Sequence, residues 1–163
     1  MSTADFIKLA KHPVKFRMFL FAKIPSAFFS GIRITSIDEN NCEVTVPYKW
    51  FSKNPFRSTY FACLSMAAEM STGALAMAHS HQSNQAVSML VVKMEAEYFK
   101  KATGKVKFVC NDGLRFKETI QKAIETGEGI TFTASSTGLN EKNETIAKFV
   151  ITWSFKKRSS GAK

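Results

Sequence analysis

What is scarce in this chain of 163 residues narrows its class first. Acidic residues are few: 13 Asp and Glu stand against 23 Lys and Arg, a net charge of +10. That excess favours anionic partners (nucleic acid, an acidic membrane surface or a phosphate-bearing small molecule) and says nothing about fold. Cysteine is nearly absent. Cys42, Cys63 and Cys110 are odd in number and form no Cys-x-x-Cys pair, which argues against a disulfide framework and for thiols packed in a reducing compartment. No Gly-x-Ser-x-Gly, Walker or dinucleotide glycine pattern occurs, so the serine hydrolase, nucleotidase and Rossmann classes have no support. Without internal repeats or a dividing linker, a single domain over residues 1–163 is expected.

Targeting signals are missing too. Lys8, Lys11, Lys15, Arg17 and Lys23 interrupt the first segment, unlike the unbroken apolar stretch of a signal peptide. Ser58 to Ser80 is long enough to cross a bilayer and carries only one formal charge, Glu69. Ser65, Ser71, Thr72, His79 and a midpoint acid make insertion costly. A buried soluble helix in a cytoplasmic protein is the expectation, with no transmembrane segment.

What is present suffices for a core: 45% of residues are apolar and 22% charged. Residues 4–29 form a basic, amphipathic helical segment that Pro13 and Pro25 should break into two short pieces. Its aromatic face fits packing on the domain better than docking on a membrane. The core is expected over about 30–157, with a flexible basic tail at 158–163. Ile32–Ile37 and the alternating Cys42, Val44, Val46 predict a hairpin about the polar 38–41 turn. Residues 50–56, with Asn54-Pro55, read as loop.

The stretch from Ser58 is apolar all the way round, and a helix apolar on every face is buried on every face. In so small a domain that implies a sheet wrapping one central helix. Alternation over 90–98, 106–110, 130–135 and 147–155 gives four further strands. Residues 114–126 give an amphipathic helix after Asn111-Asp112, stopped by Gly127, and 138–143 a hairpin turn. The order is helix, two strands, buried helix, two strands, helix, two strands, which makes the class α+β.

Asn54, Tyr60 six positions on, Phe61-Ala62, and Glu69 nine positions after Tyr60 match in spacing the Asn, the His-Gly-Gly and the Asp of phenylacetyl-CoA thioesterases. With this strand order, residues 14 to 156 resemble the hotdog fold, in particular its phenylacetyl-CoA-thioesterase-like branch labelled as a domain of unknown function. The resemblance implies an antiparallel curved sheet wrapped around a long central helix, here with an extra N-terminal helical segment. It also implies hydrolysis of acyl-CoA or acyl-carrier thioesters, sites at a subunit interface, and a homodimer or dimer of dimers. The family histidine and both glycines are Tyr60, Phe61 and Ala62 here, which keeps a non-catalytic acyl-thioester or lipid-binding module as the alternative.

A thioester needs a donor for its developing oxyanion and a base or nucleophile for attack. By the resemblance, the Phe61 backbone N–H at a helix N-terminus is the donor, and Glu69 activates water or attacks directly. A carboxylate in a buried apolar helix is expected to have a raised pKa. Glu69 could instead be a structural acid, Asn54 an ordinary turn starter and Tyr60 a pocket-wall aromatic. Arg57, Lys100, Lys101 and Lys105, with Lys107, lie in or beside loops where they could hold the phosphates of coenzyme A, which enters as part of the substrate and not as a cofactor. His79 and His81 do not share a helix face, and no metal is expected. No nucleic-acid-binding module is visible, and Cys63 reads as a packed thiol.

Overall fold

A computed structural model describes residues 2–80 and 86–158. His81 and residues 159–163 of the expected tail lie outside the described residues.

Each proline of the N-terminal segment starts a helix, so the segment has three pieces where two were expected. Helix α1 (Thr3–Lys11) opens on a capping box between Ser2 and Asp5. Helices α2 (Pro13–Lys23) and α3 (Pro25–Phe29) carry their prolines in the first turn, where the missing N–H costs nothing and φ is already helical. Phe6, Ala10, Phe16 and Leu20 are buried, so the segment packs on the domain as expected. Arg17 fastens it. Its guanidinium donates to the carbonyls of Ile32 (3.3 Å) and Phe28 (3.0 Å) and lies 3.8 Å from the centre of the Phe28 ring.

Six strands follow: β1 (Arg33–Ile37), β2 (Cys42–Val46), β3 (Val87–Tyr98), β4 (Val106–Cys110), β5 (Ile130–Leu139) and β6 (Thr145–Lys157). They form one antiparallel sheet in the order β1-β2-β4-β5-β6-β3. β5 runs further than the alternation suggested. Ser136, Thr137, Gly138 and Leu139 continue the strand, and the turn begins only at Asn140. The central helix α4 (Phe61–Ser80) packs against β2, β4, β5 and β6, the α+β hotdog arrangement.

By length and hydropathy α4 could cross a membrane, but most of it is buried inside the fold. Its burial is not complete all round, however. Phe61 is exposed, and Ala62, Ser65, Met66 and Glu69 are half-buried along one stripe. Opposite that stripe, Ser71 Oγ and Ser136 Oγ of β5 share a buried hydrogen bond of 2.7 Å.

Helix α5 (Gly113–Thr126) covers the sheet end through Phe116, Ile120 and Ala123. Gly127 stops it in the left-handed conformation, φ 74°. Asp112 precedes α5 without capping it through its side chain, because its Oδ2 accepts from the Ser135 N–H at 2.8 Å.

Candidate active site

The approach to α4 is fixed by backbone bonds. The segment before it is loop as expected, apart from one 3₁₀ turn at Trp50–Ser52. Asn54 Oδ1 accepts from the Phe56 and Ser58 N–H groups (3.0 and 3.2 Å) and from Ser58 Oγ at 3.2 Å, so its carbonyl is engaged in the turn. The Thr59 N–H donates to Ala102 O and the Tyr60 N–H to Ser52 O, both at 2.7 Å. Tyr60 O then accepts from the Cys63 and Leu64 N–H groups (2.9 and 3.3 Å), while those of Phe61 and Ala62 find no acceptor among the described residues. These are the free donors that a helix start offers to an anion or a polarised carbonyl.

Beside them, with Phe61 in its lining, lies a groove of about 760 Å³. Asn54, Tyr60 and Phe61 line one side, and Tyr98, Lys100 and Lys101 from the end of β3 and beyond line the other. Lys53 also borders it, a cation the sequence reading passed over. Lys100 is paired with Glu144. Arg57 does not line the groove and occupies a left-handed turn position, φ 58°. Lys105 points to Glu141 at 3.8 Å and Lys107 to Glu43 at 3.2 Å, both away from it.

Glu69 lies elsewhere. Eight residues along α4 from Phe61, about 12 Å at 1.5 Å per residue, it lines a separate cavity of about 270 Å³. The other walls are apolar: Phe6 of α1, Phe16 and Phe19 of α2, Met70 and Met77 of α4, and Trp153 of β6 among them. The carboxylate makes no hydrogen bond or ion pair among the described residues, and burial alone pushes its pKa above the ordinary glutamate value.

Gly73 makes room for it. A Cβ there would stand 3.0 Å from Glu69 Oε1 and 3.2 Å from the Trp153 ring. Trp153 is held by its Nε1–H, which donates to Thr72 Oγ1 at 3.0 Å, and Thr72 Oγ1 donates to the Glu69 carbonyl at 2.9 Å. No local pattern in the sequence announces this cavity, because its walls come from segments up to 147 positions apart, Phe6 to Trp153.

His79 is structural. It is buried, and its Nε2–H donates to Glu39 O at 2.8 Å, while Nδ1 has no partner among the described residues. Burial holds its pKa below the ordinary histidine value. Among the described residues no cluster of three metal-ligating side chains occurs. Cys63 is buried beside Ser30 Oγ. Burial raises the thiols of Cys42 and Cys110, the latter to about 12, which leaves both as unreactive thiols.

The sequence model of a domain of unknown function, DUF4442, matches residues 14–154. No curated protein matches the chain. Among solved structures, the fold is similar to a Pseudomonas aeruginosa protein of unknown function described as a probable thioesterase, at 19% identity. That match covers 90% of this chain and 97% of the other, with a TM-score of 0.74. It is similar also to a protein of unknown function from Chlorobaculum tepidum (17% identity, 89% and 94% covered, TM-score 0.76). A thioesterase from Haemophilus influenzae follows at 14% identity, 91% and 94% coverage and a TM-score of 0.67. At such identities the likeness establishes the fold.

Proposed function

The chain belongs to the DUF4442 family, and on that premise we propose that it is an acyl-CoA thioesterase of hotdog fold, working as a homodimer. The observation that carries this reading is Glu69. An unpaired, half-buried carboxylate with a raised pKa, on the central helix downstream of two free N–H groups, is equipped as a general base for water. In the reaction Glu69 takes a proton from water as its oxygen adds to the thioester carbonyl. The Phe61 N–H donates to the developing oxyanion. Collapse breaks the C–S bond, and the coenzyme A thiolate takes the proton back from Glu69, leaving a carboxylic acid and a free thiol.

One chain does not bring both groups to one carbonyl, since about 12 Å separates them along α4. Two copies with antiparallel α4 helices place Glu69 of one beside Phe61 of the other. The sheet edge supports that pairing. β3 is a 12-residue edge strand with one neighbour, β6. Met94, Ala96 and Tyr98 pair with the buried Ile151, Phe149 and Ala147, so they lie on the core-facing side, yet all three are exposed. A second copy covers them and protects the edge. Lys53, Lys100 and Lys101 on the groove supply cations for the coenzyme A phosphates, and affinity for coenzyme A falls as salt rises.

The second reading, an acyl-thioester-binding module without turnover, draws on Tyr60, Phe61 and Ala62 standing where the thioesterase pattern has histidine and two glycines. Release of thiol from a series of acyl-CoA esters decides between them. Glu69→Gln lowers that rate by about 10²–10⁴, the span of general-base loss. Wild-type protein that binds an acyl-CoA and releases no thiol establishes the module instead.

A further inference from the structure

The cavity beside Glu69 has a composition that selects its occupant. Among the described residues Glu69 is the one ionisable group in its lining, and the rest are aromatic, aliphatic or thioether side chains plus Gly73. Away from the Glu69 carboxylate, a space walled in this way holds water poorly and takes up apolar matter. Its distal wall is contributed by the N-terminal helices: Phe6 from α1, and Phe16, Phe19 and Leu20 from α2, with Ile24 at the rim. Phe16 and Phe19 stack at 5.7 Å with planes 20° apart, so the wall is a packed aromatic layer. Arg17, between those two rings in sequence, anchors it to the start of the sheet through Phe28 O and Ile32 O. The opposite side is lined by Met70, Met77 and Met89, side chains that adapt to an irregular guest.

We infer that this cavity is the acyl-chain chamber of the enzyme and that the α1–α2 wall is its length gauge, giving a preference for acyl groups of medium length. The inference rests on the thioesterase reading for its chemistry, because a thioester carbonyl at Glu69 directs the acyl tail into this space. Size sets the class. An apolar cavity of about 150 Å³ takes up benzene, six carbons, so by proportion 270 Å³ takes about ten. A chain longer than that meets Phe16 and Phe19 and must leave its remaining carbons in water.

The test uses linear methyl ketones from butanone to tetradecanone, which put a carbonyl where the thioester carbonyl stands and cannot be hydrolysed. Their affinities are read by calorimetry on the full-length protein. In the wild type, affinity climbs about fourfold per added carbon, the transfer value of one methylene, and flattens near ten carbons. In Phe19→Ala, which removes most of a half-buried ring from the wall, the plateau moves out by about two or more carbons. Ile24→Ala at the rim, with Ile24 already 36% exposed, supplies the same readout should Phe19→Ala fail to fold.

A wild-type series with no plateau, or a plateau unmoved in a folded variant, overturns the gauge. Thiol release from the matching acyl-CoA series on the same preparations separates the two claims. No thiol release with the plateau and its shift intact removes the enzyme and leaves the acyl chamber standing. Thiol release with a chain-length profile identical in wild type and variants does the reverse.

Discussion

Replacing Glu69 by Gln separates charge from shape, and the structure assigns the two readouts opposite signs. The carboxylate faces an apolar chamber with no hydrogen bond or ion pair among the described residues, and burial is the sole cause of its raised pKa. Between the ordinary glutamate value of 4.5 and that raised value, the folded chain holds a proton the unfolded chain has released. Stability therefore falls as pH rises through that window. Below it both states are protonated and nothing is lost; above it the fold carries a buried, unpartnered charge. Gln has no charge to desolvate, so at about pH 8 the variant is more stable. The gain is about 1 kcal/mol, the low end of the cost of an unsatisfied buried polar group, since the amide also lacks partners there. For a domain of this size that raises Tm by about 2–4 °C. Calorimetry at about pH 8 and about pH 4 checks it, with the two proteins melting together at the lower pH and turnover lost on the same preparation. A Glu69→Gln protein that melts below wild type at pH 8 refutes the reasoning, because it shows that the carboxylate is paired.

Gly73→Ala favours the helix by about 1 kcal/mol in propensity. Its Cβ, however, crowds Glu69 Oε1 and a Trp153 ring that Thr72 holds in place, so net destabilisation of about 1–2 kcal/mol in denaturant melts is expected. The buried hydroxyl pair is asymmetric. Ser71→Ala leaves Ser136 Oγ without a partner and costs about 1–3 kcal/mol, whereas after Ser136→Ala Ser71 Oγ still donates to Ala68 O, and the loss is below about 1 kcal/mol. A double variant no less stable than Ser71→Ala alone checks the coupling. His79 works against Glu69 in the pH profile. Its depressed pKa means that stability present above the ordinary histidine value of 6.5 is lost as pH falls below it, and unfolding midpoints of His79→Gln against wild type decline less steeply with acid.

Alternation made most of the sheet legible, because strands with one buried face keep period two: Val44 and Val46, Val106 and Phe108, Phe149 and Ile151 all point inward. The end of β5 escaped that signal. Ser136 is buried by a hydrogen bond to a helix residue 65 positions away, and polarity alone makes such a residue look like turn. The central helix was legible as the core. Its half-buried stripe was not, since hydropathy does not show which face of a helix a fold leaves partly uncovered. Spacing singled out Glu69 and Phe61 but not the fact that one chain keeps them in two cavities. The chamber walls, drawn from α1, α2, α4, β3 and β6, have no local signature at all.

The position of β3 at the end of the sheet has a consequence for biosynthesis. Its only neighbour among the described residues is β6, and Val87 pairs with Lys157, 70 positions later. On the ribosome, at about 5–20 residues per second, Tyr98 precedes Thr145 by a few seconds. Throughout that interval Leu90, Val92 and Met94 belong to a nascent strand with no neighbour on either side, the kind of segment that recruits foreign strands. The central helix can meet β2 and β4 before then, but Phe149, Ile151 and Phe155 of β6 are missing from the core while the sheet is still open. A chain arrested just before Thr145 thus carries the open edge of β5 as well as an unpaired β3, and the synthesis of β6 sets the moment at which both are covered.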